Sequence, residues 1–240
     1  FKAELVRLAN YTSHKSTATT KFLMSTIDEA LLVEYATQMH SDGIGTGKVV
    51  ADVQASVTTV NDGAAIGGAL KIVNDKDATL AEVREALIDI AIEVADGATD
   101  EAFLNLSKQA QLEIAELVKK ARPAGATGYA DLDAIIDPED GTGALYDAMT
   151  IHAAELAKFN AIGDLDGATP TNTKAKLDTY AYAPYVALSN ADKLAVATEI
   201  NGLTKMVGTT ETPLDFNGDD AVTTLKEAND IIDAAIAAIK

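Results

Sequence analysis

The chain lacks cysteine and tryptophan, and it has few aromatic residues of any kind. Without cysteine, it has no disulfide bonds, thiolate metal sites or cysteine nucleophiles. Aromatic residues make up only 5% of the 240 residues, so alanine, leucine, isoleucine and valine are expected to supply most of the core. No apolar run approaches the roughly 18 residues that cross a bilayer, which predicts a chain that does not insert into a membrane.

Basic residues are also scarce. The chain has 19 lysine and arginine residues against 37 aspartate and glutamate residues, which gives a formal net charge of −18. Nucleic acids and anionic lipids bind through basic patches that release counterions, so both are excluded as partners. The acidic surface instead favours solubility, divalent cations or cationic partners.

One helix beginning occurs three times, as "MSTIDEALLVEYA" at 24–36, "LSKQAQLEIAELV" at 106–118 and "LSNADKLAVATEI" at 188–200. Ser25, Ser107 and Ser189 stand 82 residues apart. Serine before an apolar periodic segment is typical of a helix N-cap, where its hydroxyl accepts an unpaired backbone N–H. The apolar positions that follow fit one face of an amphipathic helix. Each segment is therefore predicted to be the third helix of a repeat.

The rest of the repeat follows from similar comparisons. The strings "FKAEL" (1–5), "VREAL" (83–87) and "TKAKL" (173–177) predict second helices. Breaks rich in glycine, proline or aspartate follow the third helices at 41–48, 121–131 and 208–220. Long helices are predicted at 49–61, 143–160 and 220–240, the first bending at 62–68 before it resumes at 69–75. The predicted fold is all-α, with tandem three-helix bundles of about 82 residues joined by long helices.

This repeat divides the chain into four segments. Residues 1–48 would hold the second and third helices of a partial repeat. Residues 49–130 and 131–212 would be whole repeats. Residues 213–240 would hold the long helix that begins a repeat, its first helix. Because the two partial segments are complementary, we expect 213–240 to complete 1–48, either within one molecule or between two copies.

The middle copy resembles a known family over residues 103–135, "FLNLSKQAQLEIAELVKKARPAGATGYADLDAI". It is similar to the α-helical repeats that occur in tandem in large surface proteins of Paenibacillus-like Gram-positive bacteria, often beside S-layer homology domains. The matching residues are Leu106, Ser107, Arg122, Pro123, Gly128, Tyr129, Ala130 and Asp131. The Arg-Pro…Tyr-Ala-Asp string occurs only in this copy. The resemblance implies an extracellular, architectural role and brings no catalytic residues with it.

No catalytic motif stands out. His14, His40 and His152 have no partner at metal-ligand spacing and are expected at the solvent or on helix surfaces. The string "SDGIGTGKV" (41–49) has Asp42 in place of the first P-loop glycine and Val49 in place of the hydroxyl residue, so it predicts an interhelix loop. The chain is therefore predicted not to be an enzyme.

Two polar or aromatic strings suggest ligands. In "DFNGDD" (215–220), Asp215, Asn217 and Asp219 alternate like the first oxygen ligands of a calcium loop, but Asp220 replaces the glycine and Lys226 the final acid. A turn with Asp220 capping the last helix is the alternative. Tyr180, Tyr182 and Tyr185 form the densest aromatic group, which fits either glycan binding or interhelix packing.

These observations favour a non-enzymatic structural or spacer module of a bacterial cell-surface protein, S-layer-like layer or filament. Its expected partners are further copies of itself or neighbouring repeats, through its complementary ends, and its expected location is the cell surface or cell wall. The alternative is a module that binds a cell-wall polymer or another glycan. Calcium is the only cofactor that the sequence suggests.

Overall fold

Helices account for most of the chain. The structure is a computed structural model, and it describes residues 1–15, 24–44, 49–93, 98–124, 128–137 and 142–240. Apart from isolated bridges, one two-stranded hairpin is the only β-structure in these ranges, so the protein belongs to the all-α class. The helices are α1 (Lys2–Lys15), α2 (Leu32–Ser41), α3 (Val50–Asn74), α4 (Leu80–Glu93), α5 (Ala98–Leu104), α6 (Lys108–Ala121), α7 (Ala144–Asn160), α8 (Pro170–Tyr180), α9 (Ala183–Val186), α10 (Asn190–Asn201) and α11 (Leu225–Ala238).

The chain divides into two compact units, Phe1–Val73 and Asn74–Lys240. In the first unit, α1, α2 and α3 share one core, formed by buried Leu5, Tyr35, Met39 and Val57. Residues 1–48 therefore share their core with the long helix that follows them. The predicted pairing of 1–48 with 213–240 has no counterpart in this core.

The second unit contains two groups of packed helices. In one group α4 packs against α6, and α6 packs against α7. In the other group α8, α10 and α11 surround a core that includes Leu177, Val196, Ile200, Ala228 and Ile232. The helix predicted at 220–240 thus packs on the second and third helices that precede it.

Helix α7 links the two groups of the second unit. It packs against α6, and its last turn places Phe159 in the core of the α8–α10–α11 group. The Phe159 ring meets the rings of Tyr180 and Phe216 edge-on, with centroids 5.5 Å and 5.2 Å away. Edge-to-face packing of this kind adds to the apolar area that the rings bury.

Helix α3 differs from its prediction, since it runs unbroken through the glycines at which a bend was expected. Glycine weakens a helix through backbone entropy but keeps its N–H, so the hydrogen-bond ladder continues, unlike at proline. A Cβ added at Gly63, Gly67 or Gly68 would meet nothing within 4 Å. The string "DGAAIGG" therefore lies in the middle of a helix.

The region 208–220 also differs from the simple loop expected there. Strands β1 (Thr204–Val207) and β2 (Thr210–Pro213) form an antiparallel hairpin around Gly208 and Thr209, with Gly208 at φ 65°. Two-residue hairpin turns require a positive φ, which glycine adopts without strain. Helix α11 then begins at Leu225, capped by Thr224, whose hydroxyl accepts the Glu227 N–H at 3.1 Å. Asp220 does not cap it.

Candidate functional site

Two of the three serines that stand out in the sequence occupy helix N-caps. The Oγ of Ser107 accepts the N–H of Ala110 at 3.2 Å at the start of α6. The Oγ of Ser189 accepts the N–H of Asp192 at 3.1 Å at the start of α10. Both hydroxyls therefore bond to backbone, as expected for capping groups and not for nucleophiles.

Ser25 has a different place. It lies inside the 3-10 turn Met24–Thr26, and α2 begins only at Leu32. Asp28 caps the 3-10 turn Glu29–Leu31 that leads into α2, because its Oδ1 accepts the N–H of Ala30 at 2.9 Å, whereas α2 itself has no side-chain cap. Aspartate caps helical turns as well as serine does, so a side-chain cap precedes α2 at Asp28, three residues after Ser25, and serves the 3-10 turn in front of the helix.

This difference predicts unequal effects of two matched substitutions. Ser107→Ala should lower the free energy of unfolding of the second unit by about 1 kcal/mol, because it leaves the Ala110 N–H without its cap. Ser25→Ala should change stability by less than about 0.5 kcal/mol. Urea denaturation followed by circular dichroism measures both, and equal losses would contradict the assignment.

The most connected polar group is Glu113 on α6, which joins three helices. Its Oε1 accepts the backbone N–H of Lys226 at 2.8 Å and the side-chain amide of Gln109 at 3.1 Å. Its Oε2 accepts the backbone N–H of Leu225 at 2.8 Å and lies 2.8 Å from Nε2 of His152 on α7. The carboxylate thus sits at the N-terminus of α11, where unpaired N–H groups and the helix dipole favour a negative charge.

The electrostatics of Glu113 argue against catalysis. Burial opposes its ionisation, but hydrogen bonds from His152, Gln109 and the backbone of Lys226 and Leu225 outweigh burial and hold the pKa of Glu113 below its usual value. A general base near neutral pH needs a raised carboxyl pKa and a free lone pair. Glu113 has a lowered pKa and four hydrogen-bond partners, so it acts as a clamp between helices.

His152 corrects an expectation from the sequence. Its side chain is 5% exposed, so it is a buried residue and not a surface histidine. His40 is exposed at the end of α2, as a surface residue is, and the side chain of His14 lies outside the part of the chain that the structure describes. Glu113 and His152 are 39 residues apart on different helices, so no spacing motif could have paired them.

Several residues of the Arg-Pro…Tyr-Ala-Asp string form a second group of hydrogen bonds, in the segment that follows α6. Arg122 donates a hydrogen bond of 2.7 Å to the carbonyl of Asn74, which is the last residue of α3. The Asn74 side chain accepts the N–H of Tyr129 at 2.7 Å and donates to its carbonyl at 2.9 Å. Gly128 has φ 62°, and a Cβ there would stand 2.1 Å from Asn74 Oδ1. These residues hold a loop against the end of α3, so their role here is structural.

The three clustered tyrosines do not form a common surface. Tyr180 and Tyr185 are buried in the core of the α8–α10–α11 group. The Tyr180 hydroxyl donates to Asn229 Oδ1 at 2.9 Å, and burial raises the pKa of Tyr180 to about 12. Tyr182 alone is partly exposed, and its hydroxyl donates to Asp233 at 3.0 Å. Aromatic stacking on a sugar could therefore involve only this ring.

Tyr182 borders a pocket of about 360 Å³ between α6 and α11. Its lining includes the side chains of Glu116, Lys120, Asn229, Asp230 and Asp233. One aromatic face beside several hydrogen-bonding groups is an arrangement that suits a polyol.

The acidic turn at 215–220 is closed by its own hydrogen bonds. Asp215 Oδ1 accepts the N–H of Asn217 at 3.1 Å, and Asp220 accepts the N–H of Asp215 at 2.9 Å. Asp220 also pairs with Lys205 at 2.6 Å, which holds the pKa of Asp220 below its usual value. Among the described residues, no group of three or more histidine or acidic side chains is arranged to hold a metal ion.

Calcium binding at Asp215, Asn217 and Asp219 remains a prediction with a direct measurement. A calcium loop would raise the melting temperature in calcium over that in chelator, because binding to the folded state alone stabilises it. Asp219→Ala should then remove the difference. Equal melting temperatures in calcium and in chelator would contradict a calcium site.

Among the described residues, no helix is both long enough and apolar enough to cross a bilayer. Comparison of the chain with protein-family models, with curated proteins and with solved structures finds no match.

Proposed function

We propose that this chain is a non-enzymatic structural spacer module of a bacterial cell-surface protein, built from three tandem three-helix bundles. In this arrangement each bundle combines a second helix, a third helix and the long helix that follows them. The bundles are α1–α2–α3, α4–α6–α7 and α8–α10–α11. The proposal keeps the all-α repeat expected from the sequence but moves its boundaries, so that α3 and α11 each complete the bundle before them.

The observation that carries the proposal is a repeated spacing. A capping residue is followed at the same two distances by buried residues in all three bundles. A capping oxygen precedes each third helix. Ser107 and Ser189 cap α6 and α10 directly, and Asp28 caps the 3-10 turn that leads into α2. Seven residues after each cap comes a buried residue, and eleven after comes another. These residues are Tyr35 and Met39, Ile114 and Val118, and Val196 and Ile200. A shared scaffold with three different sequences is typical of building units.

Two further observations support a mechanical role. The long helix α7 belongs to the packing of two successive groups, so a load on one passes to the next through a continuous hydrogen-bonded rod. The Glu113 side chain bonds to the N-terminus of α11, and the Asn74 side chain, at the end of α3, bonds to the loop residue Tyr129. The packing of α7 and the bonds of Glu113 resist separation of the two helical groups of the second unit.

The location can be tested in the source bacterium. Immunogold labelling of intact cells with an antibody against this segment should place the label on the cell surface. Labelling that occurs only after the cells are permeabilised would overturn the proposed surface role. An antibody against a cytosolic enzyme serves as the control for cell integrity.

A glycan-binding module is the second candidate, and the pocket beside Tyr182 favours it. Purified cell-wall polysaccharide should then change tyrosine fluorescence on titration, and Tyr182→Ala should abolish the change. Tyr146→Ala, on α7 and outside this pocket, is the matched control. A flat titration with the unmodified chain would remove this candidate.

A further inference from the structure

Asparagine is followed directly by glycine twice in the chain, at Asn201–Gly202 and at Asn217–Gly218. In such a pair the backbone nitrogen of the glycine can attack the side-chain carboxamide of the asparagine, since glycine has no Cβ to obstruct the approach. The reaction needs a carboxamide and a glycine nitrogen that are not held by other hydrogen bonds. The structure gives the two pairs very different surroundings.

The first pair is fixed at the end of α10. Oδ1 of Asn201 accepts a hydrogen bond of 2.5 Å from the hydroxyl of Thr173, and its Nδ2 donates one of 3.1 Å to the carbonyl of Ala168. The N–H of Gly202 donates to two carbonyls of the helix at 3.2 Å and 3.1 Å. Both reactive groups are therefore held by other partners, and attack would require the end of the helix to open.

The second pair lies in the turn that precedes α11, where Asn217 and Gly218 are both exposed. Within the part of the chain that the structure describes, the carboxamide of Asn217 has no hydrogen-bond partner, and the N–H of Gly218 has a single one, the carbonyl of Asp215 at 3.2 Å. A bond of this length lies at the upper limit of the usual range, so it constrains the nitrogen only weakly. The reactive groups of this pair are therefore free to meet.

The packing of the turn explains why residue 218 is glycine. A Cβ there would stand 2.3 Å from Oδ2 of Asp215 and 2.9 Å from its Cγ. The carboxylate of Asp215 occupies this space because its Oδ1 accepts the N–H of Asn217 at 3.1 Å. The turn therefore requires a glycine directly after an asparagine whose carboxamide is unbonded.

We propose that Asn217 is a site of self-modification, at which the folded chain slowly converts this asparagine to isoaspartate and aspartate. The Gly218 nitrogen loses its proton to solvent and attacks Cγ of Asn217. A C–N bond forms, the bond from Cγ to Nδ2 breaks, and the departing nitrogen takes a proton from solvent and leaves as ammonia. Water then opens the succinimide ring at either carbonyl carbon. The net change is uptake of one water and release of one ammonia, with no oxidation or reduction.

The modification would change a turn that joins the core to α11. Each product adds a carboxylate, so the turn becomes more negative by one charge. Isoaspartate also adds one backbone carbon between Phe216, which is buried, and Gly218. Asp220 accepts the N–H of Asp215 across this stretch, so the longer backbone should weaken that bond. The inference goes beyond the proposed function and does not depend on it, because the reaction needs only the turn itself.

Peptide mapping by mass spectrometry tests the inference on the whole chain. The folded chain is kept in a mildly alkaline buffer with chelator, and the fraction of each asparagine–glycine peptide that gains one mass unit is followed with time. Asn217 should be converted at least about tenfold faster than Asn201, because opening the end of α10 costs free energy. In guanidinium chloride, where the fold is lost, the two sites should react at similar rates.

Asn217→Gln is the matched variant, because the longer side chain would have to form a larger ring and reacts much more slowly. Position 217 is exposed, so the variant should fold. On anion exchange the natural chain should develop a later-eluting form that the variant lacks. Equal rates at Asn217 and Asn201 in the folded chain, or conversion of Asn217 only after denaturation, would overturn the proposal. Surface labelling of cells does not depend on this reaction, so the two proposals can fail separately.

Discussion

Replacing Glu113 by glutamine is expected to destabilise the second unit by about 2–4 kcal/mol at pH 7, because a nearly buried charged acceptor is lost. Glutamine keeps the shape but has one acceptor oxygen where glutamate has two. Either orientation of its amide turns an NH₂ group toward the N–H of Leu225 or of Lys226, since each carboxylate oxygen accepts one of them. Differential scanning calorimetry should show the melting temperature falling by roughly 5–15 °C.

Glu116→Gln is the matched control, one turn further along α6. Glu116 is 46% exposed and pairs with Lys120 four residues away. Exposed pairs of this kind contribute little, so the expected loss is below about 0.5 kcal/mol. If the two variants had the same melting temperature, the bonds of Glu113 would contribute nothing to stability and its role as a clamp would be refuted.

The bonds of Glu113 should also make the free energy of unfolding depend on pH. The pKa of Glu113 is lower in the folded protein than in the unfolded chain, so ionised Glu113 stabilises the fold above its unfolded pKa. This stabilisation is lost as the pH falls through the lower, folded pKa. The unmodified chain should therefore lose more stability on acidification than Glu113→Gln does. Urea titrations at several pH values measure the difference, and parallel curves would contradict it.

Phe159→Ala is the second substitution with a large expected effect, about 3–5 kcal/mol. The ring is fully buried and contacts Tyr180 and Phe216, so alanine would leave a cavity where α7 enters the last helical group. The same cavity should separate the unfolding of the two groups of the second unit. Urea denaturation followed by circular dichroism should then show a broader transition.

Ile151→Ala serves as the control for Phe159→Ala. It removes a large apolar side chain from the same helix, but that side chain is 48% exposed. Its expected cost is below about 1 kcal/mol, because most of the lost area already faces water. Similar losses for both variants would mean that Phe159 does not join the groups.

The helical class of the protein could be predicted well because it depends on local chemistry. A hydroxyl before an apolar periodic segment caps a helix wherever the segment lies, and Ser107 and Ser189 both occupy such caps. Ser25 shows the limit of this inference. Asp28, three residues later, caps a 3-10 turn in front of α2, and α2 itself has no side-chain cap, which the string around Ser25 does not reveal.

Only tertiary packing decided whether each long helix shares a core with the two helices before it or with those after it. A repeat of 82 residues has no intrinsic starting point, so the sequence alone suits a long helix before or after its partners equally well. The buried faces of α3 and α11 place each in the core of the two helices that precede it. The burial of His152 beside Glu113 likewise depends on three helices meeting, because neither residue has a local pattern to mark it. The sequence by itself determined the helices and most of their apolar faces, since those follow from neighbouring residues. The tertiary structure decided the partners, since those follow from contacts between distant ones.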